Sequence, residues 1–277
     1  MHRIYIITGQ TATGKTDLGI RIAQKENGQL VNFDSRQIYK HLDIVTGKDN
    51  KNDVLLYDIV DPKDTFSSYN FKTLALDTLK KLIKKKKTPI LVGGTYYYLK
   101  QLLYSVTTEK IPADFTLRRK LANISLQQLQ EKVAGLNPDV FKNLNNSDKK
   151  NPHRLMRKIE ILTHAPNIFS YKKTSRMILS ELLGLASCQV VFLGLAFANK
   201  QKLIQAIENR INKRLQAGAL TEVKKLLKMG YSAKDPGLNA IGYKQLIAYL
   251  KGDIDLKTAI TDWKYKEIQY AKRQLTF

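Results

Sequence analysis

The feature that most constrains the fold of this chain is a glycine-rich segment close to its start. Residues 9–16 read GQTATGKT and follow the pattern G-x-x-x-x-G-K-T. The apolar, β-branched residues 3–8 ahead of it predict a buried strand, and the apolar spacing of residues 17–25 behind it predicts a helix. This order of strand, glycine loop and helix predicts a site for a diphosphate or triphosphate, because loop N–H groups and a helix N-terminus attract anions.

Each part of this phosphate loop has an expected role. The glycines allow the backbone to wrap around the anion, Lys15 adds a positive point charge, and the Thr16 hydroxyl can bind Mg²⁺, the cofactor we expect. The motif does not distinguish between phosphate ligands, so that choice depends on the rest of the chain. The residues expected to hold the phosphates are Gly9, Thr11, Ala12, Thr13, Gly14, Lys15 and Thr16.

Strand and helix patterns alternate along much of the chain, which predicts a parallel sheet. Further strands are expected at residues 29–33, 54–59, 88–92 and 188–195. Residues 111–176 lack strand patterns and are polar, basic and helical, with helices expected at 114–123, 125–134 and 151–163 and a loop at 145–152. We therefore predict an α/β fold, a P-loop NTPase-like parallel sheet flanked by helices, with an inserted all-helical subdomain. The catalytic core is expected at residues 1–110 and 177–277, and the insertion at 111–176.

Polar residues follow two of the predicted strands. Asp34 comes directly after the second strand, and Thr95 comes after Gly93 and Gly94 at the end of the strand at 88–92. Because the carboxyl ends of parallel strands face one ligand crevice, we expect these side chains at the same edge as the phosphate loop. The alternative is a capping role, since Asp and Thr both suit the start of a turn or helix.

The charge of the chain indicates a nucleic-acid partner. Lysine and arginine together number 47 against 24 acidic residues, which gives a net charge of +23. Nucleic acid is the commonest partner for such an excess, followed by an anionic membrane surface. The alternative is a solvated basic surface, which the lysine run at 84–87 supports because cations suit the end of a helix.

The cysteine content and the hydropathy of the sequence limit the cellular compartments in which we expect the protein. Cys188 is the only cysteine, which excludes an intramolecular disulfide and a multi-cysteine zinc site and fits a reducing cytoplasm. No apolar run approaches the roughly 20 residues that span a bilayer. A strand pattern begins directly after the first residues, so we expect no signal peptide and a cytoplasmic protein without a membrane partner.

Several of these segments, in this order, resemble the tRNA dimethylallyltransferases, also called tRNA isopentenyltransferases. The resemblance covers nearly the whole chain. Its segments are the phosphate loop at 9–16, DSRQIY at 34–39, GGT at 93–95, PHRLMRKIE at 152–160, Arg210 with Arg214, AIGYK at 240–244 and RQLT at 273–276.

The resemblance implies an activity and assigns residues to it. The family transfers a dimethylallyl group from dimethylallyl diphosphate to the exocyclic N6 amine of the adenosine next to the anticodon, on its 3′ side, in tRNA. Asp34 matches the general base, Thr95 a residue at the reaction channel, and Arg210 a group that holds the diphosphate with Lys15, Thr16 and Mg²⁺. We add Arg214 to the diphosphate site, since it lies one helical turn from Arg210. The positions expected to bind the tRNA anticodon stem-loop are Asp34, Ser35, Arg36, Gln37, Thr95, Arg118, His153, Arg154, Leu155, Met156 and Arg157.

The chemistry is consistent with these assignments. An adenine amine is a weak nucleophile, so displacement at an allylic carbon needs a stabilised leaving group, which cations and Mg²⁺ supply. Asp34 would accept the amine proton as the new bond forms. We expect a direct displacement without a covalent enzyme intermediate, carried out by a monomer.

Three other functions share some of these features. A small-molecule P-loop kinase would explain the loop and the sheet but not the basic helical insertion. An isopentenyltransferase that acts on free adenine nucleotides would share the core motifs but would not need a basic surface. A binding module without catalysis would not need Asp34 beside a complete phosphate loop.

Overall fold

The computed structural model describes residues 2–49, 51–104, 108, 111, 113–166 and 177–276. The chain divides into two compact units. The first, which we call the core unit, comprises the residues up to Leu103 together with those from Ile178 onward, and the second, the helical unit, spans Tyr104–Met177.

A parallel sheet forms the centre of the core unit. Across the described residues its strands are β1 (His2–Gly9), β2 (Gly28–Asn32), β3 (Val54–Leu55), β4 (Thr88–Val92) and β5 (Cys188–Leu195), in the order β3-β2-β4-β1-β5. Ile6 of β1 pairs with Leu91 of β4 on one side and with Phe192 of β5 on the other. Because β1 is an interior strand of a parallel sheet, Ile4, Ile6 and Ile7 are fully buried, which explains its continuous apolar sequence.

The sheet confirms the predicted fold class, with one strand much shorter than expected. The expected strand at 54–59 ends at Leu55. Leu56 and Asp58 have positive φ angles of 67° and 55°, which are incompatible with an extended strand. Apolar character alone therefore overestimated the length of this strand.

Helices occupy most of the remaining described residues. In chain order they are α1 (Lys15–Lys25), α2 (Ser68–Lys84), α3 (Tyr96–Leu103), α4 (Phe115–Leu121), α5 (Leu126–Leu136), α6 (Pro138–Lys142), α7 (Asn146–Lys149), α8 (Pro152–His164), α9 (Leu179–Leu183), α10 (Lys200–Gln216), α11 (Ala219–Lys228), α12 (Tyr243–Leu250) and α13 (Leu256–Gln274). Helix α7 lies in the segment predicted to be a loop. It forms because the Asn145 side chain accepts a hydrogen bond from the backbone N–H of Asp148, which caps its first turn.

The C-terminal helices pack against one another within the core unit. Trp263 of α13 and Tyr243 of α12 are fully buried in one cluster with the apolar faces of α10 and α11. Gly242 has a φ of 92°, and a Cβ atom there would lie 2.5 Å from Val45 and 2.8 Å from the Trp263 ring. Glycine at this position therefore allows α12 to start directly against α13.

The helical unit has its own small core. Leu121, Leu129, Val133, Leu155 and Ile159 from α4, α5 and α8 pack together in it. Helix α5 begins with a capping box in which Ser125 and Gln128 satisfy each other's backbone N–H groups. Among the described residues, no helix of either unit is long and apolar enough to cross a bilayer.

Candidate active site

The phosphate loop lies between the end of β1 and the start of α1. Gly9, Ala12 and Gly14 adopt positive φ angles of 117°, 67° and 77°, which fold the backbone into a tight turn. A Cβ atom on Gly9 would collide with the backbone of Leu195 at the end of β5. Glycine is therefore required where the loop leaves the sheet.

Lys15 folds back over this loop. Its Nζ atom donates hydrogen bonds to the carbonyl oxygens of Gly9, at 3.1 Å, and Gln10, at 2.6 Å. Burial lowers the pKa of Lys15 to about 8; the Asp34 carboxylate opposes this shift and Arg210 adds to it. Lys15 is thus a desolvated cation that an incoming anion would stabilise.

Two arginines of α10 share one carboxylate of α13. Arg210 Nη2 lies 2.5 Å from Glu267 Oε2, and Arg214 Nη1 lies 3.3 Å from Glu267 Oε1. Trp263 Nε1 donates to the same Oε1 atom at 3.2 Å. Burial, together with the positive charge of Arg210, lowers the pKa of Arg214 to about 10. Glu267 therefore holds two like charges side by side.

The two arginines differ in their remaining hydrogen-bonding capacity. Arg214 Nη2 also donates to the Thr46 carbonyl at 3.1 Å. Arg210 Nε is buried and, as far as the described residues extend, has no hydrogen-bond partner. A buried donor without a partner is destabilising, and an acceptor at that point would relieve the penalty. This geometry favours Arg210 over Arg214 as a direct ligand of an anion.

Asp34 lies at the end of β2 and uses its two carboxylate oxygens differently. Arg36 N donates to Asp34 Oδ1 at 2.9 Å, so the expected turn-capping role is present at that oxygen. Asp34 Oδ2 faces the next strand end, where a Cβ atom on Gly94 would lie 3.6 Å away. Asp34 also raises the pKa of Tyr270, second only to burial. One carboxylate oxygen thus orders the turn while the other faces the site.

Thr95 joins the ends of β2 and β4. Its Oγ1 atom accepts a hydrogen bond from Ser35 N at 2.9 Å and donates to Ser35 Oγ at 3.1 Å. The expected juxtaposition of the two strand ends is therefore present in the core unit. Arg36 Nη1 donates to the Pro236 carbonyl at 3.2 Å, and Gln37 Nε2 donates to the carbonyls of Thr46 and Gly47 at 3.2 Å and 3.0 Å.

Thr16 fits the expected Mg²⁺ role, although its part remains a prediction. It lies in the first turn of α1, beside Lys15 and half-buried. In phosphate loops the serine or threonine hydroxyl at this position binds Mg²⁺ together with substrate phosphates and water, so the residue present here suits the ion. No cluster of three or more histidine, cysteine or acidic side chains suited to a metal occurs within the described residues.

Sequence reasoning missed the polar face of α13. Glu267 orders the arginines, and the Tyr270 hydroxyl and the Gln274 amide both donate to the Gly94 carbonyl, at 3.1 Å and 3.3 Å. These residues lie at helical spacing from Trp263, and that spacing was the sequence signal for a shared face. A polar stripe on a helix usually faces water, so the signal did not indicate a site. Only the structure shows that this stripe faces the site.

Glu222 was also missed, and it supports the segment that follows Asp34. Its carboxylate accepts hydrogen bonds from the backbone N–H groups of Asp43, Ile44 and Val45 at 2.9, 2.6 and 3.1 Å. The Tyr243 hydroxyl donates to it at 2.6 Å. These bonds fix the segment whose Thr46 carbonyl contacts Arg214.

In the helical unit, the predicted RNA-contacting arginines surround a buried glutamate. The Glu160 carboxylate has no exposed surface, and Arg118 Nη2 lies 2.9 Å from its Oε2 atom. Arg157 also pairs with it, and Asp114 N donates to Oε1 at 2.5 Å. Burial alone would raise the pKa of Glu160, but the hydrogen bonds from Arg118 and Arg157 hold it below its ordinary value. These cations are partly neutralised inside the protein.

The other predicted RNA contacts on α8 differ in exposure. His153 and Arg154 are exposed, and Arg154 Nη1 pairs with Asp148 Oδ1 at 2.6 Å. Leu155 corrects the sequence-based expectation: its side chain is fully buried in the core of the helical unit, so it serves packing rather than RNA contact. Met156 is half-buried against the same core. An apolar residue at helical spacing from other apolar residues is the pattern of a core position.

Replacement of Glu160 with glutamine should destabilise the helical unit by about 2–3 kcal/mol. Breaking a buried ion pair costs roughly 3–5 kcal/mol, and partial exposure of Arg118 and Arg157 reduces that figure. Hydrogen exchange in α4 and α8 measures the change, with Glu131→Gln, on the exposed face of α5, as the matched control. Equal exchange in both variants would contradict the prediction.

The pH dependence of stability provides a second test. Because the pKa of Glu160 is lowered, wild-type stability from this carboxylate should be lost as pH falls below the range of an ordinary glutamate.

Comparisons with known proteins agree with this geometry. A family model described as IPP transferase matches residues 37–277, and one described as isopentenyl transferase matches residues 2–60. A tRNA dimethylallyltransferase from Thermoanaerobacter sp. (strain X514) is 32% identical over 285 residues, covering 99% of this chain and 88% of that protein. Another, from Staphylococcus aureus (strain JH9), is 32% identical over 286 residues with the same coverage.

Solved structures show the same relationship. The structure of a tRNA isopentenylpyrophosphate transferase from Staphylococcus epidermidis is 28% identical, covers 100% of this chain and 89% of its own, and has a TM-score of 0.67. A eukaryotic dimethylallyltransferase acting on tRNA is 24% identical with a TM-score of 0.80, over 100% of this chain and 69% of its own, and supports the fold. The resemblance drawn from the motifs is confirmed. The chain therefore belongs to the IPP transferase family and is a prenyltransferase.

Proposed function

We propose that this protein transfers a dimethylallyl group from dimethylallyl diphosphate to the exocyclic N6 amine of the adenosine adjacent to the anticodon, on its 3′ side, in tRNA. One observation carries the proposal. Gln274 accepts a hydrogen bond from Thr11 N of the phosphate loop at 2.7 Å, and its amide nitrogen lies at Gly94, where a Cβ atom would also be 3.6 Å from Asp34 Oδ2. A base and an anion site are thus adjacent within a fold whose named relatives are tRNA dimethylallyltransferases.

The donor side of the site suits a diphosphate leaving group. The amides of the phosphate loop, Lys15 and the unpartnered Nε of Arg210 are fixed donors for charge that develops on the departing oxygen. Thr16 would hold Mg²⁺, which supplies further charge neutralisation on the phosphates when bound. Arg214 contributes positive potential from behind Arg210.

The acceptor side suits deprotonation of an adenine amine. The nitrogen lone pair forms the new bond to the allylic carbon, the carbon–oxygen bond breaks, and its electron pair leaves with the diphosphate. The amine proton passes to Asp34, whose Oδ2 faces the channel at Gly94. Thr95, fixed by Ser35, lies at the same strand end and would orient the base.

The charge of the protein suits RNA as the carrier of that adenosine. The net charge of +23 favours binding to a phosphate backbone, and the target base must leave its stack to reach the half-buried Asp34 carboxylate. An anticodon loop makes this less costly because its bases are unpaired. We assign the anticodon stem-loop to the exposed positions of the helical unit, including His153 and Arg154, with Arg118, Arg157 and Met156 at its partly exposed faces. In the core unit we assign it to residues 34–37 and Thr95.

We further propose that the protein acts as a monomer in the cytoplasm. Sedimentation of the purified protein would check the monomer, because a stable dimer would double the mass of 31.6 kDa.

Incubation with labelled dimethylallyl diphosphate, Mg²⁺ and either tRNA or AMP should label tRNA only. The reason is that the basic surface supplies affinity for a phosphate backbone that a free nucleotide lacks. The matched control is the same tRNA transcript with guanosine at the target position, which should stay unlabelled. Label on AMP alone would instead show a free-nucleotide isopentenyltransferase, and ATP turnover with a small acceptor would show a kinase.

A further inference from the structure

The last turns of α13 connect the donor side of the site to the base. The side chains on one face of this helix each contact the site or its supports: Trp263, Glu267, Tyr270 and Gln274. Their spacing of four, three and four residues places them within one helical stripe. Gln274, at the end of the helix, lies closest to the phosphate loop.

The Gln274 carboxamide makes two hydrogen bonds of opposite polarity. Thr11 N, in the phosphate loop, donates to Gln274 Oε1 at 2.7 Å. Gln274 Nε2 donates to the Gly94 carbonyl at 3.3 Å, and a Cβ atom on Gly94 would collide with this nitrogen. The same Cβ would lie 3.6 Å from Asp34 Oδ2. A single side chain therefore spans the distance from the phosphate loop to the turn that Asp34 faces.

We propose that Gln274 is a positioning residue for the prenyl donor, which rests on the proposed function of the phosphate loop. By fixing Thr11 relative to Gly94, its carboxamide sets where the diphosphate lies relative to Asp34. Small displacements of reacting groups have large effects on rate. A side chain that fixes the phosphate loop relative to the turn at Gly94 therefore contributes directly to catalysis. A carboxamide carries an acceptor oxygen and a donor nitrogen, so it can accept from the loop and donate to the carbonyl at once.

An alternative role, in which a phosphate displaces Gln274 from the loop, predicts the opposite change in diphosphate affinity. If the Gln274 oxygen merely occupied the Thr11 amide until a phosphate displaced it, removal of the amide group would strengthen diphosphate binding. If Gln274 positions the loop, removal weakens binding. A negative charge at this point weakens binding further, because it repels the diphosphate.

The experiment compares Gln274→Met and Gln274→Glu with Gln269→Met, a matched control on a different face of α13. For Gln274→Met we expect the KM for dimethylallyl diphosphate to rise about fivefold to tenfold, the worth of one hydrogen bond or slightly more. The KM for tRNA should stay within about twofold. Gln274→Glu should raise the donor KM beyond that of Gln274→Met, and Gln269→Met should match the wild type. Titration calorimetry with inorganic diphosphate should give the same order without tRNA or turnover.

Several outcomes would overturn the proposal. A donor KM that falls in Gln274→Met would show displacement, and an unchanged donor KM would show no role. Equal losses for donor and tRNA, together with a lowered Tm, would show a purely structural residue. Calorimetry separates these results from failure of the proposed function: diphosphate binding that depends on Lys15 and Gln274 without prenyl transfer would refute the activity and retain the positioning role.

Discussion

Replacement of Asp34 with alanine is expected to lower kcat for dimethylallyl transfer by about 10²- to 10⁴-fold, the usual contribution of a general base. The affinity for tRNA should change by less than a few fold, because RNA binding depends on many phosphate contacts. Single-turnover transfer to tRNA and filter binding measure the two quantities separately.

A second variant separates catalysis from the turn. Asp34→Asn keeps an oxygen that can accept from Arg36 N, so the turn should remain intact while the base is lost. It should therefore be as slow as Asp34→Ala. Asp77→Asn, on an exposed face of α2, serves as the matched control. Near-wild-type turnover in Asp34→Asn would mean that Asp34 serves the turn alone.

Replacement of Lys15 with alanine should lower kcat by about 10²- to 10³-fold, because a preorganised cation at the leaving group is lost. Weaker binding of inorganic diphosphate should accompany the loss. Lys25→Ala, in the last turn of the same helix and exposed, is the matched control. Undiminished diphosphate affinity in Lys15→Ala would place the anion elsewhere.

The pH dependence of donor binding provides a separate check. Because the pKa of Lys15 is about 8 and an anion binds its protonated form, diphosphate affinity should fall as pH rises above 8. The decline should be absent in Lys15→Ala, and calorimetry at pH 7 and pH 9 would measure it.

Local sequence patterns predicted the parts of the site that depend on local geometry. The phosphate loop and the two strand ends follow from short motifs, since a parallel sheet places the carboxyl ends of its strands together. The capping role of Asp34 was the alternative that the sequence left open, and the structure has it at one oxygen, which accepts from Arg36 N.

The features that the sequence did not predict depend on long-range contacts. Glu267 contacts the arginines of α10, and Gln274 contacts Thr11 and Gly94, only after α13 has packed. In the sequence, the spacing of these polar residues resembles that of a solvent-exposed helix. Glu160 similarly changes the interpretation of Arg118 and Arg157 as RNA contacts. Its buried carboxylate neutralises part of their positive charge, whereas a count of basic residues treats that charge as available to RNA. Leu155 shows the converse, since a residue inside a basic segment can belong to the core.

The order of the strands has a consequence for how the protein is made. The interior strand β1 pairs with β5 from His2 opposite Cys188 to Gly9 opposite Leu195, so one side of β1 stays unpaired until the ribosome has synthesised β5. The helical unit, at residues 104–177, is translated in between. Helix α13 supplies Glu267, which pairs with Arg210 and Arg214, and Gln274, which contacts the phosphate loop. A nascent chain therefore lacks both sets of contacts until residue 274 has left the ribosome. The site is thus assembled only after α13 has been synthesised, later than the helical unit.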